Sequence, residues 1–359
     1  MNQTQDFTKG VIWKQLLFFF FPILIGSFFQ QLYNTVDTII VGQAVGTSAL
    51  AAVGSTGNLT SLIVNFYVGL STGASVVIAQ YYGAQNNKKI HQAVHTSYSL
   101  AIVSGILMML FGLFFSYQCL DAIGTPHDIL NDATLYMQLY FLCMIPGAIY
   151  NIGAGILRAV GDSKRPLYYL IVCSIVNVVF DFIFVVIFHQ GIAGAAIATV
   201  IAQFVCAILV TIQLMRTNEV YKLTLSKMKF HLPVLKKIIM IGAPAGIQST
   251  MYSISNIVLQ SHINAFGTQT IASWSVYVKI DALFWMMIAA IGAAITTFSG
   301  QNYGAHLHDR IKKGTRTALA MAFIMTISIS TILCLTGSYI TRLFSSDPHI
   351  IEECYSLML

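Results

Sequence analysis

Long apolar runs recur from one end of this chain to the other, and they limit its fold more than any other feature. About 20 such residues suffice to cross a bilayer as a helix. A run such as LYYLIVCSIVNVVFDFIFVVIF (167–188) is apolar on every face. Lipid offers the backbone no hydrogen-bond partner, so a spanning segment must be a helix or part of a closed barrel. Barrel strands would alternate apolar and polar residues, and these runs do not. The reading is an all-α polytopic membrane protein. Charge agrees: 9% of residues are charged and 56% hydrophobic, whereas a soluble domain carries charge at about a quarter of its positions. The pattern predicts helices at 14–40, 50–80, 92–117, 131–157, 166–188, 192–215, 237–262, 270–301, 315–340 and from 349 onward. Glycine, proline and polar clusters such as YYGAQNNKK, GTPHD and GDSKRP break them.

The net charge of +6 might point to nucleic acid, but its distribution points to membrane topology. Of the 19 Lys and Arg residues, Lys9, Lys14, Lys88, Lys89, Arg158, Lys164, Arg165, the basic stretch at 216–237 and the cluster at 310–316 all fall on one side of the predicted spans. Arg342 alone lies on the other side, and Lys279 lies within a span. The positive-inside rule then puts the N-terminus in the cytoplasm. The basic loops read as topology signals and headgroup contacts, with no nucleic-acid partner. The first span has no small-residue cleavage site, so it reads as a retained helix. The six cysteines have no metal-ligand spacing and read as reduced core thiols.

The chain contains a repeat. AVGTSALAAVG (44–54) aligns with AFGTQTIASWS (265–275) at an offset of 221 residues. The same offset matches Gln80, Tyr82, Gly83 and Ala84 with Gln301, Tyr303, Gly304 and Ala305, and with one inserted residue Pro126-His127 meets Pro348-His349 and Pro22 meets Pro244. Six helices separate equivalent points, so both copies have one orientation, related by an axis along the membrane normal. The expected architecture is a six-helix lobe at 1–217, a cytoplasmic linker at 218–236 and a second lobe at 237–359. The second copy stops early, so about ten helices of an expected twelve are present, and the chain reads as C-terminally truncated.

Charges within hydrocarbon are costly and mark function. Gln30, Tyr33, Asn34 and Asp37 lie at spacings of three, one and three, along one helical stripe. Asn177 and Asp181 share a face at i,i+4, and Thr199 can bring a hydroxyl to them. Asp37 and Asp181 are expected to face a shared wet chamber in the first bundle. Two carboxylates, an amide and a hydroxyl could bind Na⁺ through oxygen, or the carboxylates could share a proton. Alternatively, each Asp caps a helix break or pairs with a buried donor. In the second lobe, Lys279 and Asp281 are expected as buried polar residues on a wet cavity. Two residues apart on a helix, they point to different faces. Lys279 lies roughly 13 Å into its span at 1.5 Å per residue. Pro22, Pro146 and Pro244 are expected to kink their helices.

The motifs QQLYNTVDTIIVG, AVGTSALAAVG, AQYYGAQN, GILRAVGDSKRP and VNVVFDFIF followed by GAAIATVIAQ resemble those of the multidrug and toxic compound extrusion (MATE) family, in order and over essentially the whole chain. The resemblance implies a twelve-helix transporter of two six-helix lobes that exports organic cations by antiport against H⁺ or Na⁺, in the plasma membrane and as a monomer. It implies a coupling-cation site, with Na⁺ as one candidate ion, at Asp37, Asn177, Asp181 and Thr199. It also implies a substrate cavity lined by Gln30, Tyr33, Asn34, Tyr136 and Asn151. Some members carry an acid on the seventh helix. Here that helix reads GAPAGIQSTMYSISNIVLQ, without one, which favours the DinF-like branch, coupled through the first lobe. The competing transport function is a flippase for a lipid-linked saccharide, which would need more cationic groups in its cavity. An intramembrane enzyme would need a motif such as DDxxD or HExxH, and neither is present. No cofactor is implied beyond the coupling ion.

Overall fold

In the computed structural model, which describes residues 5–263, 266, 268–342 and 348–358, every regular element among the described residues is helical. In chain order these are α1 (Ile12–Ala44), α2 (Thr47–Gly83), α3 (Asn87–Ala122), α4 (His127–Phe141), α5 (Met144–Ala159), α6 (Lys164–Asp181), α7 (Gly191–Arg216), α8 (Leu232–Ile263), α9 (Thr268–Gly304), α10 (His308–Arg342) and α11 (Pro348–Met358). A π-helical stretch at Phe182–Ile187 prolongs α6. All six cysteines are free thiols.

Seven helices are long and apolar enough to cross a bilayer, and α4 with α5, bent by 44°, makes an eighth span. Outward-facing side chains such as Leu335, 75% exposed, and Phe114, 70% exposed, are matched to hydrocarbon rather than water. The chain is a multi-pass membrane protein. Two of the ten expected spans fall outside this set. The first is α8, long enough at 32 residues but diluted by Gln248, Ser249, Ser253, Asn256 and Gln260. The second is α11, described over 11 residues.

The expected single helix at 131–157 is broken at Leu142 and Cys143. Pro146 supplies the reason. It has no N–H to donate to Leu142 O, four residues back, and its ring would clash with that carbonyl. The N–H groups of Leu142 and Cys143 instead reach the carbonyls of Leu139 and Tyr140 at 3.1 and 2.9 Å, a tighter three-residue pattern. Pro22 and Pro244, by contrast, stay within the continuous helices α1 and α8.

The larger core is built from α1–α7 and the start of α8, which contributes Val234 and Ile238. The connection at 217–231 joins it: Tyr221 and Leu223 are each 1% exposed, and His95 of α3 bonds the backbone of Thr224 at 3.1–3.2 Å. A smaller core joins the two halves, with Phe7, Leu16, Phe19 and Phe20 packed on Met287, Ile291 and Phe298 of α9.

The repeat becomes visible in reciprocal contacts. A Cβ on Gly83 would collide with the carbonyl of Gln301, and a Cβ on Gly304 would collide with the carbonyl of Gln80. Each glycine meets the repeat equivalent of the other's partner, as two copies about one axis must. Elsewhere the two copies diverge. Gly69 and Gly73 of α2 lie backbone to backbone against Gly246 and Gly242 of α8. Their repeat equivalents on α9 and α1 are Ala290, Ala294, Leu24 and Phe20. One interlobe seam is therefore closed by glycine, and side chains hold the other apart.

At the end that carries the basic loops, residues 5–11 lie across both halves. Gln5 N–H donates to Gly161 O at 3.1 Å, and Phe7 N–H to Gln301 Oε1 at 3.1 Å. Arg310 donates to Phe7 O, Gly10 O and Gln15 Oε1 at 3.0, 2.8 and 3.0 Å. Arg310→Met keeps the aliphatic stem and removes these charge-assisted bonds. It should release the segment, and limited trypsinolysis should then cut at Lys9 several-fold faster than in the parent protein. An unchanged cleavage rate would show that the aromatic packing of Phe7 alone holds it.

Candidate functional site

The polar stripe of α1 reaches the interior of the first bundle because spacings of three and four return to one helix face. Gln30, Tyr33, Asn34 and Asp37 line a chamber of about 270 Å³ together with Tyr136 of α4, Asn151 of α5 and Thr199 of α7. The break between α4 and α5 contributes Cys143 and Met144 to the same wall. All five expected cavity residues therefore line one chamber, and so do Asp37 and Thr199 of the expected cation set.

The sequence reading missed Thr60, Ser61 and Asn65 of α2, Tyr140 and Gln203, which line the chamber as well. Two carried a signal. Gln203 lies four residues after Thr199. Tyr140 lies four after Tyr136, with ring centroids 6.3 Å apart. The α2 residues sit in a polar stretch without a distinguishing period.

Asp181 and Asn177 do not line the chamber. Both are 0% exposed, which corrects the expectation that both carboxylates face one wet space. Asp37 lines it, and Asp181 is sealed behind its wall. The cause is local: Asp181 ends α6 where the wider π turns begin, in a helix packed against both α1 and α7. Thr199 bridges the two layers. Its hydroxyl lies 3.4 Å from Asn177 Nδ2, which donates to it, and itself donates to Ala195 O at 3.1 Å.

Asp37 Oδ1, Asn177 Oδ1 and both carboxylate oxygens of Asp181 are buried without a hydrogen-bond partner among the described residues. Leaving one such atom unpaired costs roughly 1–3 kcal/mol, and more when it is charged. The alternative roles of helix cap or paired acid are not what the geometry displays, since Asp181 makes no capping bond. An all-oxygen set of two carboxylates and an amide suits a hard alkali cation or a bound proton. Among the described residues no group of three His, Cys, Asp or Glu side chains is placed to hold a metal.

In the second half, Asp281 is half-buried on the wall of a separate chamber of about 830 Å³. Lys279 is exposed and not part of that wall, which corrects the expectation that both are buried there. At 3.6 residues per turn, two positions on α9 point about 200° apart.

The MatE family model matches residues 22–183 and 244–359. Over 363 residues the chain is 26% identical to the probable multidrug resistance protein YoeA of Bacillus subtilis, covering 99% of this chain and 78% of that protein. Among solved structures, a MATE protein crystallised in a bent conformation superposes with a TM-score of 0.91 at 25% identity, covering 100% of this chain and 79% of that one. An outward-facing multidrug resistance MATE family transporter of the MOP superfamily gives a TM-score of 0.91 at 25% identity, over 98% of this chain and 79% of its own.

Proposed function

The chain belongs to the MatE family, and from that premise we propose that it is a secondary active multidrug efflux transporter, exchanging organic cations for H⁺ or Na⁺ by alternating access. One observation carries the coupling half of this reading: the cluster of partnerless oxygens on Asp37, Asn177 and Asp181 directly behind a substrate-sized chamber. An ion entering through Asp37 would satisfy them, with Thr199 as the hydroxyl between chamber and buried pair. Neutralising those carboxylates removes charge from the C-terminal part of α1 and from the end of α6, changes the local bend of α1 and narrows the chamber. A cationic substrate held by Asp37 and the Tyr33, Tyr136 and Tyr140 rings then loses its electrostatic anchor and its space together.

The excess of basic residues at the sealed end supports a cytoplasmic N-terminus in the plasma membrane. On that orientation the molecule is closed to the cytoplasm and ready to release substrate outward. The chamber wall carries a carboxylate and, among the described residues, no Lys or Arg. That polarity favours a cation over the pyrophosphate of a lipid-linked saccharide.

Everted vesicles containing the chain should take up a fluorescent organic cation when a pH or Na⁺ gradient is imposed separately. Uptake under one gradient identifies the coupling ion. Uptake that ignores both gradients would overturn antiport.

A further inference from the structure

Arg158 differs from the other basic residues at the sealed end. It lies in the last turn of α5, is half-buried, and lines a pocket of about 90 Å³ between α1, α5 and α6. A guanidinium is always charged and carries five N–H donors in a fixed fork. Among the described residues, none of these donors meets a carboxylate or another acceptor. The acid four positions on, Asp162, is engaged elsewhere. Its Oδ2 lies 3.2 Å from Arg165, and its Oδ1 accepts from the backbone N–H groups of Lys164 and Arg165 at 3.2 and 3.1 Å. The C-terminal end of α5 offsets part of the Arg158 charge but pairs none of its donors.

The rest of the wall suits a negative ligand. Ser27 of α1 and Ser163, just before α6, each add a hydroxyl with no partner among the described residues. Ser163 stands at the capping position of α6 without making a side-chain capping bond. The start of α6 adds the positive end of its dipole. The described wall contains no Asp or Glu. Gln30 and Asn151 line both this pocket and the first-lobe chamber, so the two spaces adjoin.

We propose that Arg158 holds a monovalent inorganic anion of chloride size, with the Ser27 and Ser163 hydroxyls as further donors. Charge sets the valence. One guanidinium balances one negative charge, whereas a phosphate dianion would leave net charge buried. Volume sets the size. Chloride is about as large as a water molecule, whose share of liquid volume is about 30 Å³, so the ion fits with water beside it. Bound there, it cancels a positive charge that would otherwise repel a cation in the adjoining chamber. The site goes beyond the efflux reading and stands or falls without it.

Radioactive chloride tests the proposal directly. The full chain, in nanodiscs of neutral phosphatidylcholine with gluconate as the balancing anion, should bind chloride saturably in a scintillation-proximity measurement. Arg158→Gln should weaken that binding at least about tenfold. Arg158→Lys keeps the charge but loses the fork, and it should retain binding at a smaller cost. If Arg158→Gln does not fold, Ser27→Ala with Ser163→Ala keeps the guanidinium, removes two donors and should weaken binding several-fold. Bromide should displace the label, and inorganic phosphate at the same concentration should displace far less. Nanodiscs containing phosphatidylglycerol should leave the affinity unchanged.

Absent or unsaturable binding would overturn the site, and so would equal affinity in the Arg and Gln proteins. Stronger displacement by phosphate would assign the pocket to a phosphate ion and overturn chloride. Loss of binding in phosphatidylglycerol would assign it to a lipid headgroup and do the same. No gradient and no organic cation enter these measurements, so their outcome is independent of the vesicle uptake result.

Discussion

Asp37→Asn should abolish gradient-driven export while leaving the protein folded and inserted. The substitution preserves shape and removes the carboxylate that lines the chamber. An amide offers an incoming ion no negative charge and takes up no proton at working pH, so the coupled step loses its driving interaction. Asp181→Asn should do the same from behind the wall, where both oxygens lack a protein partner. Initial efflux rates in vesicles, normalised to the amount of monodisperse protein, should fall at least about tenfold in each, a change of ~1.4 kcal/mol in the coupled step. Thr199→Val separates the two candidate ions. It removes an oxygen that Na⁺ would use and a proton would not, and it leaves Asn177 Nδ2 without its acceptor. A Na⁺-driven carrier should therefore lose apparent Na⁺ affinity, while a proton-driven one should keep most of its rate. Normal efflux from Asp37→Asn would refute the coupling role given to the first lobe.

Gly83→Leu should open the sealed end. Any Cβ there collides with a backbone carbonyl of α9, and backbone cannot rotate aside as a side chain can. Overpacking of this kind costs about 1–3 kcal/mol. That cost falls only on the state in which α2 and α9 touch, so the population should move about fivefold or more toward a state with these ends apart. Gly304→Leu should match it, because Gly304 meets Gln80 as Gly83 meets Gln301. Gly292→Ala is the control: nothing lies within 4 Å of a Cβ there, and the change should be silent. Spin labels on the loops after α2 and α9 should report a longer distance in both leucine variants. An unchanged distance would mean that these glycines do not set the closed geometry.

The first-lobe chamber was partly legible in the sequence. Gln30, Tyr33, Asn34 and Asp37 could be grouped because they share one helix, where spacing alone dictates the face. Asn177 and Asp181 could be paired for the same reason. Ser61 and Asn65 could not be found, since their membership depends on how closely α2 approaches its neighbours. Lys279 and Asp281 were separable in direction from their spacing, but which of them met a cavity was not. The break at Leu142 was half-legible: Pro146 announced a distortion, as did Pro22 and Pro244, but only one of the three interrupts its helix.

Local chemistry in the chain was enough to establish helices, a bilayer, an asymmetric charge and two copies of one unit. Each of these follows from a residue's own hydration cost or from a neighbour a few positions away. Interhelical distances, by contrast, came from packing: glycine brings α2 against α8, and bulkier residues hold α1 off α9. Those distances decide that Asp37 lines a chamber while Asp181 lies sealed behind it, and that Asp281 lines a chamber while Lys279 does not. A cavity belongs to several helices at once, and no period within a single helix encodes its walls.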